Sequence, residues 1–490
     1  MDKTFIYDKS LLPEPIFEGQ ENWIELYYKA WEIAFKNIDY VGKEGWKPQL
    51  TCMPGAGVIW QWDSCFMTFI TNYSNGTLTA LNNLDNLYRL RRKEDGYMSM
   101  AYSVDTDAET FPGRINPPLL AWAEWEAYLV SGDSSRFERV IPAIEGLYSF
   151  IENNRRRNCG LYWFEDSGSS GMDNSPRGEY LSPDLKGSGI CHIDLACQQS
   201  LSAKCLSNMY GVLGNNEKEE LYKKEQIRIN ELINKFHWSE KAHFYSDFFG
   251  RDNANKKVKL INSKTAATFW TLICGAATGE KAQYMVEHLF NPDEFYTKIP
   301  FATLSKDDLN YDKTGGYWLG GVWPPTNYTA ARGLAAIGKS SLAREASIRF
   351  LSAMSDVNTD VAYGGIWEAY APEDIRPSTK ENGVLVRTDF VGWGGLGPIP
   401  MLIENIIGLR FNADKNTIVF DVFPNKKTGL KNMIFNGGKV SLECTDYKSF
   451  KGQSTIKIST EKPFKLCIKM NYLSSYQNID VPAGESIFKI

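Results

Sequence analysis

Apolar positions recur along most of the chain at the period of a helix. Trp23, Leu26, Ala30, Ile33 and Ala34 share one face of a first helix over residues 23–38. The same spacing predicts helices near 62–73, 77–92, 117–130, 134–153, 190–211, 216–236, 264–275, 280–289, 326–337, 340–355 and 392–407. Tight hinges at 74–77, 131–133 and 339–341 alternate with long loops at 39–59, 93–114, 156–189, 237–263, 290–324 and 356–391. Twelve helices in six hairpins predict a mainly α fold, an (α/α)6 toroid whose long loops gather around one cleft. The competing reading is an irregular helical domain with padded loops. Residues 1–20, with Pro13 and Pro15, read as irregular.

After Gly408 the pattern changes to short alternating runs at 417–422, 438–442, 454–458 and 464–469, separated by Asn, Gly, Lys and Pro. These predict a small antiparallel β-sandwich. The expected division is a helical catalytic domain with an N-terminal extension over 1–408 and a C-terminal β domain over 409–490.

Composition narrows the function classes. The 490 residues are 43% hydrophobic and 13% aromatic, a globular balance, and fourteen Trp is a high count. Net charge is −5 with both signs interspersed, which gives no nucleic-acid footprint. No run of about 18 apolar residues is present, so no membrane span is expected. No charged-then-apolar leader is legible. Nine scattered cysteines, among them Cys65, Cys197, Cys205 and Cys274 in apolar helical text, read as reduced core residues. That points to the cytoplasm, or to the periplasm if a signal peptide has been removed. The four histidines, His192, His237, His243 and His288, are too scattered for a histidine metal site. There is no P-loop, dinucleotide fingerprint or G-x-S-x-G elbow, and no cofactor is expected. Asp247 and Asp252 are loop acids without an evident partner, which leaves a calcium site open.

The chemistry concentrates in the long loops. Ser167–Arg177 reads S-G-S-S-G-M-D-N-S-P-R, a run that excludes helix and central strand. Its acid, Asp173, is either a proton donor with a raised pKa or a turn residue capping its own backbone. Trp163 precedes it, and Arg177 pairs a carboxylate or fixes the loop. The second carboxylate is Glu368, between Trp367 and Tyr370 in G-G-I-W-E-A-Y-A-P-E. Two carboxylates across a cleft suit acid–base glycoside hydrolysis, with a separation of about 6.5–9.5 Å in inverting enzymes. Trp60-Gln61-Trp62-Asp63 offers indole faces beside hydrogen-bonding groups, the mixture a sugar ring requires. Asp63 alternatively only caps its helix. Tyr317, Trp318 and Trp323 wall a pocket or plug the space between helices. Arg114, Trp163, Arg177, Asn327, Trp367, Tyr370 and Trp393 are further candidate substrate contacts.

The ordered motifs W-Q-W-D-S-C-F, S-G-M-D-N-S-P-R, G-G-Y-W-L-G-G-V-W-P-P and W-E-A-Y-A-P-E resemble glycoside hydrolase family 63, the related trehalases, and the mannosylglycerate and glucosylglycerate hydrolases of that group. The resemblance spans about residues 20–408. It implies a six-hairpin, double-ring helical enzyme that inverts configuration at α-linked glucosides or mannosides. It further implies Asp173 as general acid, Glu368 as general base, Trp60–Asp63 as the terminal-sugar stretch, and Trp318 and Trp323 as pocket walls. The partner is then a small carbohydrate, with no nucleic acid and no membrane; oligomeric state is left open. One departure is Leu319, where the family often has arginine, which removes a fixed donor array. The competing functions are an inverting disaccharide phosphorylase and a non-catalytic carbohydrate-binding protein.

Overall fold

The helices differ in how far around their circumference the apolar residues run. The computed structural model describes residues 5–177, 189–250, 259–423, 426–445, 454–470 and 476–489. Its α-helices are α1 (Glu21–Lys36), α2 (Gln61–Thr71), α3 (Leu81–Leu90), α4 (Leu120–Ser131), α5 (Phe137–Asn154), α6 (Ile193–Val212), α7 (Asn216–Phe236), α8 (Trp270–Cys274), α9 (Gly279–Leu289), α10 (Pro324–Ala336) and α11 (Ser340–Thr359). Every residue of α2 is buried, and α6 is buried almost all round. By contrast α7 buries only Tyr222, Ile229 and Ile233, the stripe of a surface helix. Asn215 starts α7 by accepting from the Lys218 N–H, with Glu217 and Glu219 in the first turn. Pro324 and Pro325 open α10, where a missing N–H costs nothing.

The last helical segment is not regular. A 3-10 turn, Gly394–Leu396, runs into a π-helical stretch, Gly397–Ile407. Pro400 lies inside it and lacks the N–H an α-helix would use, so the bonding widens. The stretch ends with the Gly408 N–H donating to Ile403 O.

The buried elements form a chain of neighbours. α2 packs on α4, α4 on α6, α6 on α8, α8 on α10, α10 on the final segment, and that segment on α2. Around them α3 packs on α2, α5 on α4 and α6, α7 on α6, α11 on α10, and α1 on the final segment. The fold is therefore mainly helical.

Two sheets follow. With β1 (Glu14–Phe17), β2 (Leu409–Asn412), β3 (Thr417–Val422), β4 (Thr428–Phe435), β5 (Gly438–Cys444), β6 (Thr455–Thr460), β7 (Phe464–Met470), β8 (Tyr476–Val481) and β9 (Gly484–Lys489), the orders are β1-β4-β5-β6-β9 and β2-β3-β7-β8. Phe435 contacts Phe411 and Phe464 across the gap between the sheets. Two expectations are corrected here. Residues 14–17 are a strand, not irregular chain: β1 pairs with Thr428–Lys431. And the sheets are not purely antiparallel, since β3 and β7 run parallel. Buried apolar residues form one continuous cluster across residue 408. Tyr73 lies just past the end of α2 and touches Phe411 of β2, and Arg344 of α11 donates to Asn405 O. Asp252 lies outside the described residues.

Candidate active site

Three indoles mark where inner elements begin. Trp60, Trp323 and Trp393 each stand immediately before a helical start, those of α2, α10 and the final segment. They line a single cavity of about 710 Å³ together with Trp62, Asp63 and Trp318. Trp318 and Trp323 stack at 4.0 Å between centroids, and Trp393 meets Trp323 at 5.5 Å and Trp62 at 6.0 Å. The positive ends of the α2 and α10 dipoles thus point at a space lined by acids.

Asp173, Glu368 and Asp63 share that space. Asp173 sits after Gly171, whose φ of +78° and tight seat force the turn: a Cβ there would stand 2.7 Å from the Trp62 ring. The Asp173 residue is exposed toward the cavity, yet it is set deep in a concave wall. Lost hydration there, then the negative charges of Glu368 and Asp166, push its pKa up to about 7. The Arg114 guanidinium opposes the shift.

Glu368 is buried, 4% exposed. Burial raises its pKa, while hydrogen bonds to its ionised form pull the other way. The Arg387 N–H donates to Oε2 (3.3 Å) and the Tyr317 hydroxyl to Oε1 (3.3 Å). Tyr317 reaches it from a left-handed backbone, φ +66°, uncommon for a tyrosine. The Glu368 backbone is held on both sides: its N–H donates to Arg387 O, and its carbonyl accepts from Trp393 Nε1 (3.0 Å). Asp63, in the first turn of α2, is 4% exposed, and burial pushes its pKa up to about 7, with Glu368 and Asp173 adding to it. The Cys52 thiol donates to it and works against the shift.

Seven residues singled out from the sequence do not line the cavity. Arg177 is fully enclosed, with Nη1 and Nη2 on Asp194 (2.6 and 2.7 Å) and Nε and Nη2 on Asp247 (2.8 and 2.9 Å). It fastens the end of the Asp173 loop to the start of α6, and it is the partner that Asp247 lacked on paper. Trp163 packs under the Arg155 and Arg157 guanidiniums. Asn327 bonds the Phe301 backbone, donating to its carbonyl and accepting its N–H. Trp367 donates through Nε1 to Gly364 O, and Tyr370 bridges to Val322. Gln61 is wholly buried, with neither amide atom hydrogen-bonded among the described residues. Arg114 stays at the rim in an ion pair with Asp166 (2.5 Å). Among the described residues no group of three or more His, Cys, Asp or Glu could hold a metal ion, and no helix is long and apolar enough to cross a membrane.

A model of the mannosylglycerate hydrolase MGH1-like glycoside hydrolase domain matches residues 58–382, which spans every acid named above and more than half the chain. The chain belongs to this family. It is a glycoside hydrolase. An uncharacterized protein of Borreliella burgdorferi is 26% identical over 487 residues, 97% of this chain and 98% of that one. A cytosolic neutral trehalase of Kluyveromyces lactis is 27% identical over 53% of this chain and 33% of its own length. The crystal structure of the GH63 mannosylglycerate hydrolase from Thermus thermophilus in complex with glucose superposes with a TM-score of 0.61. It is 17% identical and covers 77% of this chain and 99% of that chain. Such a likeness shows a shared fold.

Several residues of the hydrolase's cavity region were not legible as such. Asn174 joins the two loops: its Nδ2 donates to Gly316 O (2.9 Å) and its Oδ1 accepts from the Trp318 N–H (2.8 Å). Its place beside Asp173 was the available signal. Lys380 and Arg387 bring two cations to the cavity wall, from a loop whose composition looks unremarkable. Cys52 gave no signal, because nothing in sequence relates it to Asp63.

Proposed function

We propose that this hydrolase is an inverting, exo-acting α-glycosidase of glucosidase or mannosidase type, cleaving a short oligosaccharide or a glycosylglycerate-like glycoside. In this reading the six buried neighbours close into the inner ring of an (α/α)6 toroid, and the cycle of packing from α2 back to α2 supports that. Asp173, protonated near neutrality, gives its proton to the glycosidic oxygen. Glu368, whose ionised form the Arg387 N–H and the Tyr317 hydroxyl favour against the effect of burial, takes a proton from the attacking water. Asp63 and the surrounding indoles hold the terminal sugar, hydroxyls on the acid and C–H faces on the rings. Lys380 and Arg387 favour an aglycone that carries a carboxylate. The nine cysteines are all free thiols, which supports a reducing, cytoplasmic setting.

The observation that carries the reading is that Asp173 and Glu368 line one indole-walled cavity, near enough for the Glu368 charge to raise the Asp173 pKa. The test is turnover of α-mannosylglycerate, α-glucosylglycerate and neutral α-disaccharides, with the first-formed anomer followed by NMR. The β-anomer should appear first. Asp173→Asn and Glu368→Gln should each lower kcat by about 10²–10⁴-fold with the fold intact. Undiminished turnover in both variants, or an α-anomer first, would overturn the mechanism. Phosphate-dependent release of a sugar 1-phosphate would move the assignment to a phosphorylase. Lys380→Gln should raise KM for the glycerate glycosides more than for the neutral ones.

A further inference from the structure

A second cavity, of about 590 Å³, opens toward the C-terminal ends of the inner helices. It is built from α4, α6, α8, α10 and the first turn of chain into β2, away from the starts of α2 and α10 where the acids lie. Its wall carries three cations, Lys204, Arg332 and Arg410, and one acid, Glu126.

The charges do not cancel. Arg332 is already committed, with Nη2 on Glu126 (2.5 Å) and Nη1 on Glu404 (3.3 Å). Glu126 is committed in turn, since it also accepts from Trp122 Nε1 (3.0 Å). Among the described residues Arg410 makes no ion pair: it donates to the Asn405 side-chain oxygen (2.7 Å) and to Glu404 backbone O (3.4 Å), both neutral acceptors, and the one carboxylate that bears on it, Glu404, is shared with Arg332. Lost hydration and the charge of Arg332 make its protonated form less favourable than usual. The Lys204 side chain has no hydrogen bond or ion pair among the described residues. Lys204, Arg332 and Arg410 line this one hollow together with the Cys205 thiol. A half-buried guanidinium and an unpaired ammonium facing one hollow are what an oxyanion would complete.

We propose that this cavity is an anion site for phosphate or a phosphate monoester, separate from the glycoside cavity. Arg410 presents guanidinium N–H groups to the phosphate oxygens, and Lys204 supplies a point charge. The hollow is larger than a free phosphate needs, and the Trp125 ring on its wall offers an apolar surface to the organic part of an ester.

The test is thermal unfolding of the full chain at constant ionic strength. Chloride is replaced by inorganic phosphate or by glycerol 3-phosphate, with glycerol as the neutral control. Tm should rise saturably with phosphate or with the ester and not with glycerol; a response at lower concentration to the ester assigns the larger ligand, and an equal response assigns the bare anion. Lys204→Gln, which breaks no internal contact and should fold, should weaken the response by roughly 10-fold or more. Arg410→Gln should do the same if it folds. Lys380→Gln, in the glycoside cavity, should leave it unchanged. The proposal fails if neither probe shifts Tm saturably. It fails equally if Lys204→Gln responds like the parent, or if Lys380→Gln abolishes the response.

Discussion

A carboxyl group in this cavity is never alone, and that decides its pH behaviour. With Asp173 as the proton donor proposed above, its ionisation near pH 7 should make kcat/KM fall as pH rises through about 7. With Glu368 as the proposed base, its protonation should set the acid limb. The Tyr317 hydroxyl favours the ionised form of Glu368, so Tyr317→Phe should raise that pKa and move the acid limb to higher pH. A pH profile of kcat/KM reads both limbs. Asp63 makes the same physics a matter of stability. Its folded pKa of about 7 stands above that of an unfolded aspartate, so the fold favours its protonated form. The contribution is full below the unfolded value, near pH 4, and is lost as pH rises through about 7. Asp63→Asn should therefore be more stable than the parent at pH 8 by about 1–2 kcal/mol, with the gain shrinking toward pH 4. Urea unfolding at the two pH values measures it, and the gain should come with lost turnover.

At the scale of elements, the Asp173 loop is held by what lies behind it. Arg177 is buried between Asp194 and Asp247, and the Ile193 N–H also donates to Asp247 (2.8 Å). Arg177→Met leaves two carboxylates enclosed without a counter-charge and should cost about 3–5 kcal/mol in denaturant unfolding. Arg177→Lys should not rescue it, because a point charge cannot serve two carboxylates as a planar fork does. The helices were legible in sequence because α1 or α7 carries its burial in its own periodicity, and the Trp60–Asp63 stretch because indoles and an acid adjoin. Arg177 was expected among the substrate contacts but is turned away from the cavity onto two carboxylates, 17 and 70 positions away, that local sequence does not reveal. β1 was missed because four residues with a proline show no period, and its partner strand lies some four hundred positions on. Lys380 and Arg387 were missed because a cation in a loop looks the same whether it faces bulk water or a cavity.

At the scale of the molecule, the helical and sheet parts share one apolar core and should melt together. Arg344 on α11 donates to Asn405 O and lies beside Asp421 of β3, and Phe17 of β1 contacts Phe423. Calorimetry of the full chain should show a single cooperative transition, and a chain ending at Gly408 should fail to give a soluble folded helical part, because it would expose the faces covered by β2 and β4. The pairing of β1 with β4 also carries a consequence for biosynthesis. Glu14–Phe17 leaves the ribosome some four hundred residues before its partner Thr428–Lys431, so the first strand waits without its ladder over that whole span. The final segment that packs against α2 emerges equally late. Nascent chains stalled before residue 428 should thus remain protease-sensitive around Glu14–Phe17, and the late arrival of Thr428–Lys431 acts as the latch on that early strand.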